Sequence, residues 1–235
     1  MASASRDDEG YLASKLSVRY AAEKLSQLAL QRIREPSGRA RVEDFLAVLG
    51  SITGEAALLA GLAPLDIETA NLTPGSSVFG PQINEILTGD QPDPDVAPPN
   101  SVLGILVREV VPVQGPLVTR DEILRIYQLT ASSVGSVAWG RVAVSVGRDH
   151  APVVLPIQVA FELRDQVDAA QQATETPPNL RHVPCALALA LGLQQVASSI
   201  DIRLATTLAL EVTFGVAKMT PMSRTAFARV AAKPH

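Results

Sequence analysis

Residues 203–217 read RLATTLALEVTFGVA, and the secondary structure of this stretch decides the fold class of the chain. Apart from Thr206, large apolar side chains occupy every second position from Leu204 to Val216, which is the pattern of a half-buried β-strand. The competing helical stripe is poorer, because it includes Glu211 and Gly215. We therefore predict a strand at 203–217.

A second alternating stretch at 137–146 supports the same interpretation. Val142, Val144 and Val146 share one face, while Arg141 and Ser145 lie on the other. Together the two stretches predict a helix-rich α+β fold, in which a small sheet packs around an apolar, buried helix at 185–199. An all-α fold is the alternative if both stretches are helical.

The N-terminal part predicts a helical hairpin. Apolar residues recur at helical spacing over 8–35 and again over 41–61, and Pro36-Ser37-Gly38 separates the two helices. A short helix follows at 80–88, with Pro81 at its start.

Further helices are predicted in the C-terminal part. Thr119 and Glu122 have the spacing of a capping box, and Pro156 starts an amphipathic stretch that extends to about residue 170. Thr220 and Pro221 precede a predicted final helix. The apolar run at 101–113 fits either a buried strand or a core helix, because periodicity cannot distinguish the two.

Residues 89–100 form the best candidate for a domain boundary. They contain four prolines and three aspartates, so they cannot form a helix or a central strand. The predicted organisation is a helical N-terminal region at 1–88, this linker, and a C-terminal α+β region at 101–235. A surface loop on one single domain explains the segment equally well.

Composition limits the classes of function. Hydrophobic residues make up 47% of the 235 residues and charged residues 19%, which is typical of a globular protein. The net charge of −4 argues against nucleic-acid binding. The chain carries one cysteine, so an internal disulfide framework is excluded. No targeting segment or membrane span is recognisable, and we expect a cytoplasmic protein without membrane contact.

The standard catalytic and cofactor motifs are missing from the sequence. Gly75 and Gly80 have the spacing of a P-loop, but Pro81 and Gln82 stand where lysine and a hydroxyl residue are needed. Nucleophile-elbow, dinucleotide-binding and zinc-protease motifs do not occur. Three histidines and one cysteine are too few for a multi-ligand site of the usual kinds. We therefore expect no cofactor and no metal.

Two clusters remain as candidate ligand-binding sites. The first is Arg148, Asp149 and His150 in one predicted turn, where the competing interpretation is a polar hairpin tip. The second is Arg181 and His182 with Cys185, before the apolar helix. A thiol beside basic groups at a helix start can become nucleophilic, whereas a cysteine in a Cys-Ala-Leu-Ala setting is typical of a core.

These observations lead to two hypotheses of function. The first is a non-catalytic interaction protein that associates with itself as a homo-oligomer, because the apolar runs exceed what one domain must bury. The second is a small-molecule-binding protein or enzyme with a pocket near Arg148, Asp149, His150, Arg181 and His182. A pocket lined by those groups favours the second hypothesis, and a large apolar two-fold contact favours the first.

Overall fold

A computed structural model describes residues 15–34, 40–63, 80–133, 140–221 and 223. Within these ranges the chain forms eight α-helices and two short 3-10 helices, at Arg148–His150 and Pro178–Leu180. The α-helices are α1 (Leu16–Ile33), α2 (Val42–Gly61), α3 (Pro81–Thr88), α4 (Val102–Gln114), α5 (Arg120–Ser133), α6 (Pro156–Gln172), α7 (His182–Val196) and α8 (Ile202–Ala217).

The predicted strand at 203–217 is wrong, because this stretch is helix α8. The large apolar residues alternate with small ones, such as Ala205, Ala209 and Gly215, and both sets are buried. A helix that is buried along most of its length needs no continuous polar face, so the alternation reflects side-chain size and not a half-exposed sheet. Asp201 caps the helix, accepting a hydrogen bond from the Leu204 N–H at 2.9 Å.

The predicted strand at 137–146 is also not found. Residues 134–139 lie outside the described part, and 140–147 run without regular secondary structure. Val142 is buried against α8, and the Ser145 N–H donates to the side chain of Glu211 instead of to a neighbouring strand. The described residues contain no β-strand, so the helix-rich α+β prediction is corrected to the all-α alternative.

Several helical predictions are confirmed, and one open choice is resolved. The Thr119 hydroxyl and backbone N–H both donate to the Glu122 carboxylate, and the Glu122 N–H donates back, which completes the predicted capping box. The undecided stretch at 101–113 is helix α4, capped by the Ser101 hydroxyl, which accepts from the Gly104 N–H at 3.0 Å. The predicted final helix after Thr220-Pro221 falls mainly outside the described residues.

Helix α2 is the centre of the bundle. It contacts α1, α3, α6, α7 and α8, and nearly all of its side chains from Asp44 to Ala60 are buried. Among the described residues, Val42–Leu62 is the one helical stretch that is long and apolar enough to cross a membrane by length and composition. In the bundle, 83% of its most apolar window is buried, as expected for the core helix of a globular protein.

Helices α2 and α8 pack closely because glycines replace side chains where they cross. A β-carbon on Gly54 would lie 2.4 Å from the Thr213 carbonyl oxygen, and one on Gly50 would lie 3.0 Å from the Ala209 carbonyl oxygen. Neither position has room for a side chain. This contact fixes α8 against the middle of the core.

One hydrophobic core spans the predicted boundary at 89–100. It combines residues from before that segment, such as Leu46, with residues from after it, such as Leu106 and Leu187. The segment itself is attached to the bundle, because the Asn100 carbonyl oxygen bonds the His182 ring at 2.8 Å. The division into two regions remains a prediction that proteolysis can test.

Candidate functional site

An open groove of about 400 Å³ lies between α5, α8 and the extended segment 140–147. Helix α5 is held in place by Tyr127, whose ring packs against Phe214 with centroids 4.8 Å apart and whose hydroxyl bonds Thr88 at 3.0 Å. The groove is lined by Glu122, Arg125, Ile126, Leu129, Ser145, Thr207 and Glu211.

Glu211 is the chemically distinctive residue of this groove. The residue is only 2% exposed, and it is the one carboxylate of helix α8. Ser145 donates two hydrogen bonds to the carboxylate, one from the backbone N–H at 2.9 Å and one from the hydroxyl group. Burial raises the pKa of Glu211, and the hydrogen bonds from Ser145 only partly offset that effect.

The rim of the groove carries an ion pair. The Arg203 Nη2 lies 2.6 Å from the Glu122 Oε1, which joins the first turns of α5 and α8. Burial raises the pKa of Glu122, but the hydrogen bonds from Thr119 and Arg203 outweigh burial and the pKa is lowered overall. Arg125 is exposed, and its Nε donates to the Asp121 carbonyl oxygen of its own helix at 3.3 Å.

The first predicted cluster lies elsewhere, at the start of α2. The His150 Nδ1 is 2.9 Å from the Glu43 Oε1, and Arg41 donates to the carbonyl oxygens of Asp149 and Ala151. Arg148 is exposed. The segment is a 3-10 helix attached to α2, and the predicted hairpin turn is not formed, because the strands it would connect are absent from the described residues.

The second predicted cluster is divided between a narrow cleft and the core. Arg181 lies 3.4 Å from Asp168 and lines a cleft with Glu55 and Arg164. This cleft holds only about 10 Å³, which is the space of about one water molecule. Its volume is too small for a substrate.

His182 and Cys185 are buried residues at the start of α7. The His182 Nε2 donates to the Asn100 carbonyl oxygen, and burial lowers the pKa of the ring to about 4. Cys185 is fully buried, with Gln171 Nε2 at 3.5 Å from its sulfur, and burial raises the pKa of the thiol to about 12. Cys185 therefore lacks the lowered pKa and the accessibility of nucleophilic thiols.

The structure does not bring the five predicted pocket residues together. His150 contacts Glu43, whereas Arg181 lines the cleft beside Glu55. Those two carboxylates lie on the same helix 12 residues apart, which corresponds to roughly 18 Å along its axis.

Comparisons with other proteins leave the groove as the main guide to function. No protein-family model matches the chain, and comparison with the curated proteins and with the solved structures finds no similar chain. In the part of the chain that the structure describes, no group of three or more metal-binding side chains could hold an ion.

The sequence reasoning missed Glu211 and Ser145. A single carboxylate within the largely apolar stretch of α8 is a usable signal, because glutamate is rarely buried without partners. The signal was lost because a strand at 203–217 would have turned Glu211 towards solvent. Ser145 carries no comparable signal, since only the tertiary fold brings it to α8.

Proposed function

We propose that this protein binds a small polar molecule in the groove between α5 and α8. The buried Glu211 carboxyl group carries the proposal, because a buried titratable group that faces a groove and has a raised pKa is typical of functional sites. A purely structural carboxylate would be expected to reach a basic partner, whereas Glu211 bonds a serine.

The size and lining of the groove agree with this function. Its volume of about 400 Å³ falls in the usual range of small-molecule sites. Ile126 and Leu129 give it an apolar wall, while Thr207, Ser145 and Glu211 supply hydrogen-bonding groups. A few polar groups within an apolar surface are the common pattern of sites that orient one ligand.

The experiment is a fragment screen by saturation-transfer NMR, repeated on two variants of α5. Leu129→Trp fills the groove, whereas Leu124→Trp adds the same indole at an exposed position of the same helix that does not line it. We expect fragments that bind the unmodified chain and Leu124→Trp but not Leu129→Trp. Circular dichroism confirms that both variants fold.

A screen in which every binding fragment tolerates Leu129→Trp would overturn the proposal, as would a screen that finds no binding fragment. Because the two variants differ only in the position of the tryptophan on α5, fragments that are lost from both variants do not depend on whether the groove is open. That outcome would also count against the groove.

A second candidate function is self-association through α1. Leu16 and Tyr20 are 84% and 56% exposed and lie one turn apart on the helix face opposite the buried Val18, Ala22 and Leu25. Exposed apolar side chains at this spacing favour packing against a second copy of the same helix.

Light scattering at tens of micromolar tests self-association directly. We expect a particle of twice 24.8 kDa for the unmodified chain and of 24.8 kDa for a Leu16→Ser, Tyr20→Ser double variant. The matched control is Val113→Ser with Val153→Ser, which removes two exposed apolar side chains elsewhere. A 24.8 kDa particle for the unmodified chain would exclude this function.

A further inference from the structure

We propose that the ligand of the groove is a small zwitterion, with its ammonium group at the Glu211 carboxylate and its own carboxylate at the Arg125 guanidinium. This inference rests on the proposed binding function. It assigns the chemical class of the ligand from the charges that line the groove.

The carboxylate of Glu211 selects the ammonium end. Ser145 supplies its N–H and hydroxyl donors, but both are neutral, so the buried negative charge has no cation beside it among these contacts. A cation bound at this position would offset the cost of burying the charge. Thr207 lies one helical turn earlier on α8 and lines the same groove, where its hydroxyl can accept from an ammonium group.

Arg125 selects the carboxylate end. The other two charges at this end, those of Glu122 and Arg203, already neutralise each other in an ion pair. Arg125 bonds the Asp121 carbonyl oxygen through Nε alone, and no described residue bonds its two Nη groups. A guanidinium with both Nη groups accessible is suited to bidentate binding of a carboxylate.

The space between the two charged groups suits a short apolar chain. Ile126 and Leu129 lie on the same face of α5 as Arg125 and form the wall of the groove. Hydrocarbon between the two ends of the ligand would therefore contact hydrocarbon. The Glu211 carboxylate and the Arg125 guanidinium are the two charged groups left to bind a ligand. A ligand with one positive and one negative group therefore balances the charge of the groove.

The experiment measures binding of unbranched amino acids that carry the amine and the carboxylate at opposite ends, from three to eight carbons. Each is compared with its two half-molecules, the alkylamine and the alkyl carboxylate of the same length, by titration calorimetry. We expect at least one zwitterion to bind at least about tenfold more tightly than both of its half-molecules, because each half lacks one ion pair.

Three variants assign the two ends. Glu211→Gln should reduce zwitterion binding at least about tenfold while leaving binding of the alkyl carboxylate unchanged. Arg125→Gln should reduce zwitterion binding by a similar factor while leaving binding of the alkylamine unchanged. Arg148→Gln removes an exposed arginine of the 3-10 helix and should leave all affinities unchanged. Arg125 is exposed, so its variant remains informative if Glu211→Gln fails to fold.

The possible failures are distinguishable. If no zwitterion binds more tightly than its half-molecules, but Leu129→Trp abolishes fragment binding, the ligand class is wrong and the binding function stands. If Arg148→Gln abolishes binding, the ligand lies at the 3-10 helix and both proposals fail. Zwitterion affinity that is insensitive to Glu211→Gln and Arg125→Gln would likewise reject the assignment.

Discussion

The Glu55 Oε1 and the Arg164 Nη2 lie 2.7 Å apart, and both side chains are only 8% exposed. The pair is bidentate, since the Arg164 Nε also donates to the Glu55 Oε2 at 3.3 Å. It connects the central helix α2 to α6 at a depth where either charge alone would be poorly solvated.

Removing one member of this pair should destabilise the protein more than removing both. Arg164→Met leaves the Glu55 carboxylate buried without its partner and should lower the free energy of unfolding by about 3 kcal/mol. Arg164→Met combined with Glu55→Gln should recover much of that loss, and urea denaturation measures both. Glu55→Gln alone completes the cycle, and a loss in the double variant equal to the sum of the two single losses would show that the pair is not coupled.

His182 should make the protein less stable at acidic pH. Its pKa is about 4 in the folded state and about 6.5 in the unfolded state, so between these values the unfolded chain binds more protons. The stability that the neutral ring contributes is complete above pH 6.5 and is lost as the pH falls towards 4. At about pH 5, the loss relative to pH 7.5 should be roughly 2 kcal/mol.

His182→Gln provides the control for this prediction. Glutamine can donate to the Asn100 carbonyl oxygen as the histidine does, but it does not titrate. The difference in unfolding free energy between the two proteins should therefore change with pH by the amount stated. A difference that is the same at pH 5 and pH 7.5 would mean that folding does not lower the pKa of the His182 ring.

Cys185 should resist thiol reagents until the protein unfolds. The side chain is fully buried, and its raised pKa of about 12 leaves little thiolate at neutral pH. We expect negligible reaction with an aromatic disulfide reagent at pH 8, and complete reaction once urea unfolds the chain. Complete labelling of the folded protein within minutes would restore the nucleophile hypothesis for this residue.

Gly54→Ala tests the close approach of α2 and α8. The added methyl group would meet the Thr213 carbonyl oxygen at 2.4 Å, and a backbone atom cannot move away without shifting the helix. The free energy of unfolding should fall by about 2 kcal/mol or more. Gly147→Ala is the matched control, because nothing lies within 4 Å of its β-carbon position. Equal stability of the two variants would contradict the packing described.

Cleavage within 89–100 should leave the two fragments associated. Val96 is 61% exposed and accessible to a broad-specificity protease, whereas Pro98 would contact a β-carbon placed on Gly89 or Gly104 and is thus packed closely. Because the core includes residues from both sides of the segment, nicked protein should elute as one species in gel filtration. Fragments that separate and remain folded would support the predicted domain boundary instead.

The helices were predictable where one face is polar or where a cap is local. Thr119 and Glu122 predicted the start of α5, and Pro156 predicted the start of α6, because these signals act within one turn. Helix α8 was not predictable in the same way. Its small residues, such as Gly215, make room for neighbours that are far away in the sequence. In the sequence alone, these small residues resemble the solvent-facing side of a strand.

The candidate site was less predictable than the fold, for a related reason. The groove depends on Ser145 and Glu211 meeting across 66 positions of sequence, and no local motif encodes such a meeting. The clusters at Arg148–His150 and Arg181–Cys185 were conspicuous because their polar groups are neighbours in sequence. In the structure, the first cluster attaches a 3-10 helix to α2. The second cluster attaches α7 to the 89–100 segment.

The position of α2 at the centre of the bundle has a consequence for the order of synthesis. Most of the surface that covers this apolar helix comes from α6, α7 and α8, which begin more than 90 residues after α2 ends. A ribosome therefore releases α2 well before its covering helices exist, and the nascent chain carries an exposed apolar segment for most of its elongation. Apolar surface left uncovered in this way is prone to aggregation, so chains truncated before α8 should aggregate more readily than the 235-residue chain.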